Sequence, residues 1–170
     1  RPSFFIGYWQ NIYYAQYLKS ELERELLQFY NKRKLKRLAV NFNDVACHVR
    51  LGDYTTHINS SIYHQFELDD FLATIRKCNF NNKVIYIFSD DTNSIRADLL
   101  KSGLNFKFIS DYNLNVLEEF VLMSRFHNIL ISNSTFSWWA AFANYEKKLC
   151  IQPEYWFKDE LTPASLRIPN

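Results

Sequence analysis

A chain of 170 residues, 48% hydrophobic and 22% charged, amounts to about one domain with a substantial core. A formal net charge of +2, with no basic stripe interleaved with aromatics, excludes nucleic acid as the expected partner. No apolar run approaches the roughly 20 residues of a membrane span and no signal peptide is visible, while an odd count of three cysteines in apolar settings suggests a cytoplasmic protein.

The chain opens on Arg1 rather than Met and reads as a fragment or a trimmed protein. Residues 13–38 are expected to form one long helix, because Tyr14, Leu18, Leu22, Leu26 and Tyr30 recur every four residues. It closes on Lys32-Arg33-Lys34 and Lys36-Arg37. That charge suits a helix C-terminus on a solvated face, and in the competing reading it docks on an anionic membrane surface. Residues 1–40 are therefore set apart as an N-terminal helical segment, and 41–170 as the main domain.

From residue 41 the rhythm changes to short apolar runs alternating with helical ones. Strands are expected at 44–50, 83–89, 105–109, 128–132 and 147–151, with helices at 68–78, 92–102, 115–126 and 134–144. The helix at 92–102 stops at Gly103, a residue suited to a left-handed cap. Such alternation, with strands apolar on both faces, predicts an α/β fold built on a doubly wound, mainly parallel sheet. Ligands of such sheets sit beyond the carboxyl ends of the strands.

Three segments place polar residues at those ends. In His48-Val49-Arg50-Leu51-Gly52-Asp53-Tyr54, a short strand delivers His48 and Arg50 to one face. Arg50 offers a permanent charge and a planar fork of donors that suits phosphate, and Gly52 lets backbone approach a ligand. In the alternative, Arg50 is a strand-ending residue paired with Asp53. In Ile87-Phe88-Ser89-Asp90-Asp91, two acids end the next strand. They would accept from a base edge or a ribose, bind a metal, or simply cap the helix that follows. In Asn133-Ser134-Thr135-Phe136-Ser137-Trp138-Trp139, short polar residues open a Trp-rich helix. Its unpaired first-turn amides, the hydroxyls of Ser134, Thr135 and Ser137, and the dipole make an anion site; an ordinary N-cap is the plainer reading.

The segments HVRLGDY, IFSDD and NSTFSWWAA, in that order, resemble the three motifs of the α-1,2-fucosyltransferase family, glycosyltransferase family 11. Gly7-Tyr8-Trp9-Gln10 is similar to the G-Y-F-Q segment upstream of the first motif, and Leu122-Met123-Ser124-Arg125-Phe126-His127-Asn128 to the run leading into the third. One departure stands out: the family has two consecutive arginines in the first motif, and here the second is Leu51. The resemblance implies the Rossmann-like donor lobe of a GT-B-like enzyme that takes GDP-fucose and a glycan acceptor, with most of the N-terminal acceptor lobe missing. It implies Arg50 at the β-phosphate and Ser134 and Thr135 around the diphosphate. It also implies a carboxylate, Asp90 or Asp91, on guanine. His48 would donate to phosphate or orient Arg50; in the plainer reading it is a satisfied strand histidine. Asp53 is the nearest candidate for the base, with Glu67 a second choice.

No metal or other cofactor is expected, because Arg50 and a helix terminus would offset the diphosphate charge and Asp90-Asp91 lacks D-x-D spacing. Cys47, Cys78 and Cys150 read as buried, reduced thiols with no zinc-site spacing. The stretch 152–157 reads as an aromatic flap on the sheet, with Trp156 as an alternative sugar-facing residue.

Overall fold

The structure is a computed structural model and describes residues 10–32, 34–52 and 61–170. Five strands form one sheet: β1 (Val45–Val49), β2 (Ile85–Ser89), β3 (Phe106–Phe108), β4 (Asn128–Leu130) and β5 (Leu149–Ile151). Their spatial order is β3-β2-β1-β4-β5, and every pairing is parallel. The register sets Val45 beside Ile85 on one side and Asn128 on the other.

Helices cover both faces, which explains why the strands are apolar throughout. Val45, Cys47, Val49, Ile85 and Ile87 pack with Phe71, Leu72 and Ile75 of α3 (Leu68–Lys77) and with Ile95 and Leu99 of α4 (Thr92–Lys101). The alternate residues Ala46, Tyr86 and Phe88 pack with Leu122 and Met123 of α5 (Val116–Met123) and with Trp138, Ala141 and Phe142 of α6 (Thr135–Phe142). Local chemistry sets the helix ends. Asn115 and Glu118 form a reciprocal capping box at the start of α5. Gly103 takes φ +78° just past α4, as the sequence predicts.

The N-terminal segment differs from expectation. It runs as α1 (Ile12–Ala15), a 3-10 turn (Gln16–Leu18), α2 (Lys19–Lys32) and a second 3-10 turn (Lys34–Arg37), so the α-helix ends at Lys32. Leu26 is buried and, with Leu35, packs on Val121 and Ala143. Tyr14 and Leu18, expected on the same buried ridge, are 69% and 59% exposed. A spacing of four overshoots a helical turn by about 40° per step, so a ridge of five such residues winds off the packed face.

Cys47 and Cys150 are buried free thiols, whereas Cys78 at the end of α3 is partly exposed. Burial pushes the Cys150 thiol up to about 11. Trp156 is buried in the core rather than facing a ligand, and it lies on β6 (Tyr155–Phe157), which pairs with β7 (Glu160–Leu161) in a small antiparallel ribbon. Among the described residues, no helix is long and apolar enough to cross a membrane.

Candidate functional site

Strand order reverses at β1. The chain moves outward to β2 and β3, then returns to lay β4 on the other side of β1. Chain connections diverge there, leaving a crevice beyond the carboxyl ends of β1 and β4. His48 and Arg50 of the first polar segment and Asn133 of the third lie at that crevice.

His48, the fourth residue of β1, bridges the two ends. Its Nδ1 lies 2.6 Å from Ser132 Oγ, 84 residues away in sequence, and its ring stacks on Phe136 at 5.3 Å between centroids. The residue is 6% exposed. Burial, reinforced by the nearby Arg50 charge, holds its pKa down at about 3. His48 is therefore a neutral imidazole at ordinary pH and offers a ligand a hydrogen bond rather than a charge.

Arg50, just past the strand, pairs with Asp90 from the end of β2, Nη1 to Oδ2 at 3.0 Å. The side chains are 32% and 24% exposed, so both remain in reach of solvent. The other Asp90 oxygen, Oδ1, accepts from the Leu51 backbone N–H at 2.9 Å. A Cβ placed on Gly52 would run into Asp90 Oδ2, which is a steric reason for glycine at this position. Asp91 turns to other work: its Oδ1 accepts from Ser94 N at 3.4 Å, capping α4.

At the head of α6, Ser134 has extended backbone and makes no side-chain cap hydrogen bond, so it leaves the first-turn amides uncapped by its own hydroxyl. Thr135 Oγ1 donates to Gln10 Oε1 at 2.9 Å. Ser137 is fully buried and donates to the carbonyls of Ser132 and Ser134, both at 3.3 Å, so its hydroxyl serves the turn. Asn133 is also buried. Its Nδ2 donates to the His64 and Trp156 carbonyls, at 3.0 and 2.9 Å, tying three segments together.

A cavity of about 790 Å³ opens at this edge, within the size range of small-molecule sites. His48, Arg50, Ser132 and Asn133 line it together with Glu67, Asp70, Glu154 and Tyr155. Of the expected residues, His48, Arg50 and Asn133 line the cavity, and Asp90 and Gly52 lie against Arg50 and Leu51 without lining it; Ser134 and Thr135 are not among its lining residues, and Asp91 and Ser137 bond within their own turns. Asp53 lies outside the described residues. Sequence reasoning missed Ser132, which stands at the end of an apolar run much as His48 does. Tyr155, inside the stretch read as an aromatic flap, was not singled out and lines the cavity. Among the described residues, no group of three or more His, Cys, Asp or Glu side chains is arranged to hold a metal ion.

The chain matches the model of Glycosyl transferase family 11 over residues 1–167. An alpha-1,2-colitosyltransferase of Escherichia coli is 32% identical over 167 residues, covering 92% of this chain and 57% of that protein. The O-antigen biosynthesis glycosyltransferase WbnK of Escherichia coli is 31% identical over 157 residues, covering 85% and 51%. The chain thus spans little more than half the length of these relatives. A crystal structure of POFUT1 in complex with GDP-fucose aligns with a TM-score of 0.45 at 12% identity, covering 78% of this chain and 46% of that one.

Proposed function

The chain belongs to glycosyl transferase family 11, and on that premise we propose that it forms the donor-binding part of an inverting fucosyltransferase. The enzyme would move fucose from GDP-fucose to a galactoside hydroxyl of a glycan in α-1,2 linkage. The observation that carries this reading is the convergence of Arg50, His48 and the segment leading into α6 on one cavity at the reversal of strand order.

In the transfer, the acceptor oxygen bonds to the anomeric carbon as the carbon–oxygen bond to the β-phosphate breaks. The bonding pair leaves with GDP, and the hydroxyl proton passes to a carboxylate. Negative charge grows on the diphosphate, and a fixed guanidinium lowers the barrier most when it faces that charge. Arg50 takes that role here, worth roughly 3–4 kcal/mol by comparison with single oxyanion donors. The uncapped amides at the head of α6, with Ser134 and Thr135, approach the diphosphate from the other side. His48, neutral, orients the ligand through a hydrogen bond. Asp53 is the candidate base; Glu67 is the second candidate and lines the cavity. Positive charge from Arg50 and the helix terminus supports a metal-independent reaction.

One relative's name favours a second donor sugar, colitose, which is fucose without its 3-hydroxyl. Calorimetry with GDP, UDP and ADP, paired with a transfer assay using GDP-fucose and a galactoside, tests the proposal. GDP should bind at least about tenfold tighter than UDP or ADP, a difference of about 1.4 kcal/mol. Product from GDP-fucose supports the full reading, and binding without product supports a donor lobe that is inactive alone. Equal affinity for all three nucleotides would overturn it.

A further inference from the structure

We propose that Asp90 is a positioning residue: it fixes the Arg50 guanidinium and the Leu51–Gly52 backbone, and it does not read the guanine base. The inference rests on the reading of Arg50 as a diphosphate contact. Each oxygen of the Asp90 carboxylate already has a defined partner on the β1 side. Oδ2 holds Arg50 Nη1 at 3.0 Å, and Oδ1 accepts from the Leu51 amide at 2.9 Å. The same Oδ2 fills the space a side chain at position 52 would need. One carboxylate from β2 thereby fixes three consecutive residues leaving β1. The two strands are neighbours, with Val49 opposite Ser89, so Asp90 and Arg50 each lie one residue beyond a paired position.

The consequence is physical. An arginine has several rotatable bonds, and ordering it on a ligand costs conformational freedom. An arginine already held by a carboxylate has lost part of that freedom before the ligand arrives, which is how preorganisation raises affinity. Gly52 belongs to the same device, because any Cβ there would push the carboxylate off one of its two partners.

The test uses the full-length enzyme with Asp90→Asn, Gly52→Ala and Arg50→Ala, and calorimetry with GDP, UDP and inorganic pyrophosphate. Asp90→Asn keeps the shape but loses the charge. It should weaken GDP and pyrophosphate by the same factor, about tenfold, and leave the GDP-to-UDP ratio unchanged. Gly52→Ala should act in the same direction although the carboxylate is intact. In an Arg50→Ala background, Asp90→Asn should have no further effect, since the two act as one unit. Loss of the GDP-to-UDP preference with unchanged pyrophosphate affinity would make Asp90 a base reader and overturn the proposal. Unchanged affinity for every ligand would overturn it as well. Failure of the wild-type enzyme to bind GDP would instead remove the donor-site reading, and this inference with it.

Discussion

Replacing Arg50 by alanine separates binding from folding, because the structure assigns very different sizes to the two effects. Its ion pair with Asp90 is about one-quarter to one-third exposed. Pairs in reach of solvent contribute about 0–1 kcal/mol to stability. For a domain of this size, loss of that pair corresponds to a fall of about 2–4 °C in the Tm of the ligand-free protein. The Asp90 carboxylate left behind can hydrate, so no buried unpaired charge enlarges the loss. Binding should respond far more. GDP at 100 times its Kd stabilises the wild type by about 2.7 kcal/mol. Losing one charge-assisted contact, about 1.5–3 kcal/mol, weakens binding at least tenfold and leaves less than about 1.4 kcal/mol of that stabilisation. Differential scanning fluorimetry with and without GDP reads both quantities in one experiment. A variant that keeps the full GDP-induced shift would refute the phosphate role of Arg50. A ligand-free Tm lowered by more than about 8 °C would show that Arg50 holds the fold together.

His48 has a folded-state pKa of about 3, below its unfolded value near 6.5. Between those values the unfolded chain binds one more proton than the native one. This contribution is therefore intact above pH 6.5 and lost as pH falls toward 3, by up to about 1.4 kcal/mol per unit. His48→Asn should flatten the stability curve by one proton between pH 6.5 and 4 in urea titrations; equal slopes would mean the imidazole is charged in the fold. Asn133→Ala should destabilise the protein by about 1–3 kcal/mol, because the His64 and Trp156 carbonyls lose their shared donor. That appears as a lower Tm without ligand, and an unchanged Tm would contradict the bracing role. Treatment with EDTA should leave the GDP-induced Tm shift intact, and its disappearance would show that a metal ion bridges the diphosphate.

Much of the architecture was legible in the sequence, because the features that encode it are local. Val45, Ala46 and Cys47 form an apolar run that only a strand buried on both faces uses well, and the same holds for Ile85–Phe88. Gly103 marks a helix end through chemistry confined to a few residues. Alternation also put His48 and Arg50 on one face before any fold was known. Tertiary structure decided what those side chains do. Adjacent acids on one strand end look equivalent in sequence, yet Asp90 meets Arg50 across the sheet while Asp91 caps the next helix. Four polar residues open α6 alike, yet Ser137 is spent on its own turn and Asn133 braces distant carbonyls. The charge state of His48 depends on burial beside Ser132 and Phe136, which strand order alone brings together. Periodicity is written into each segment, but partnership and solvent exclusion belong to segments that meet only after folding.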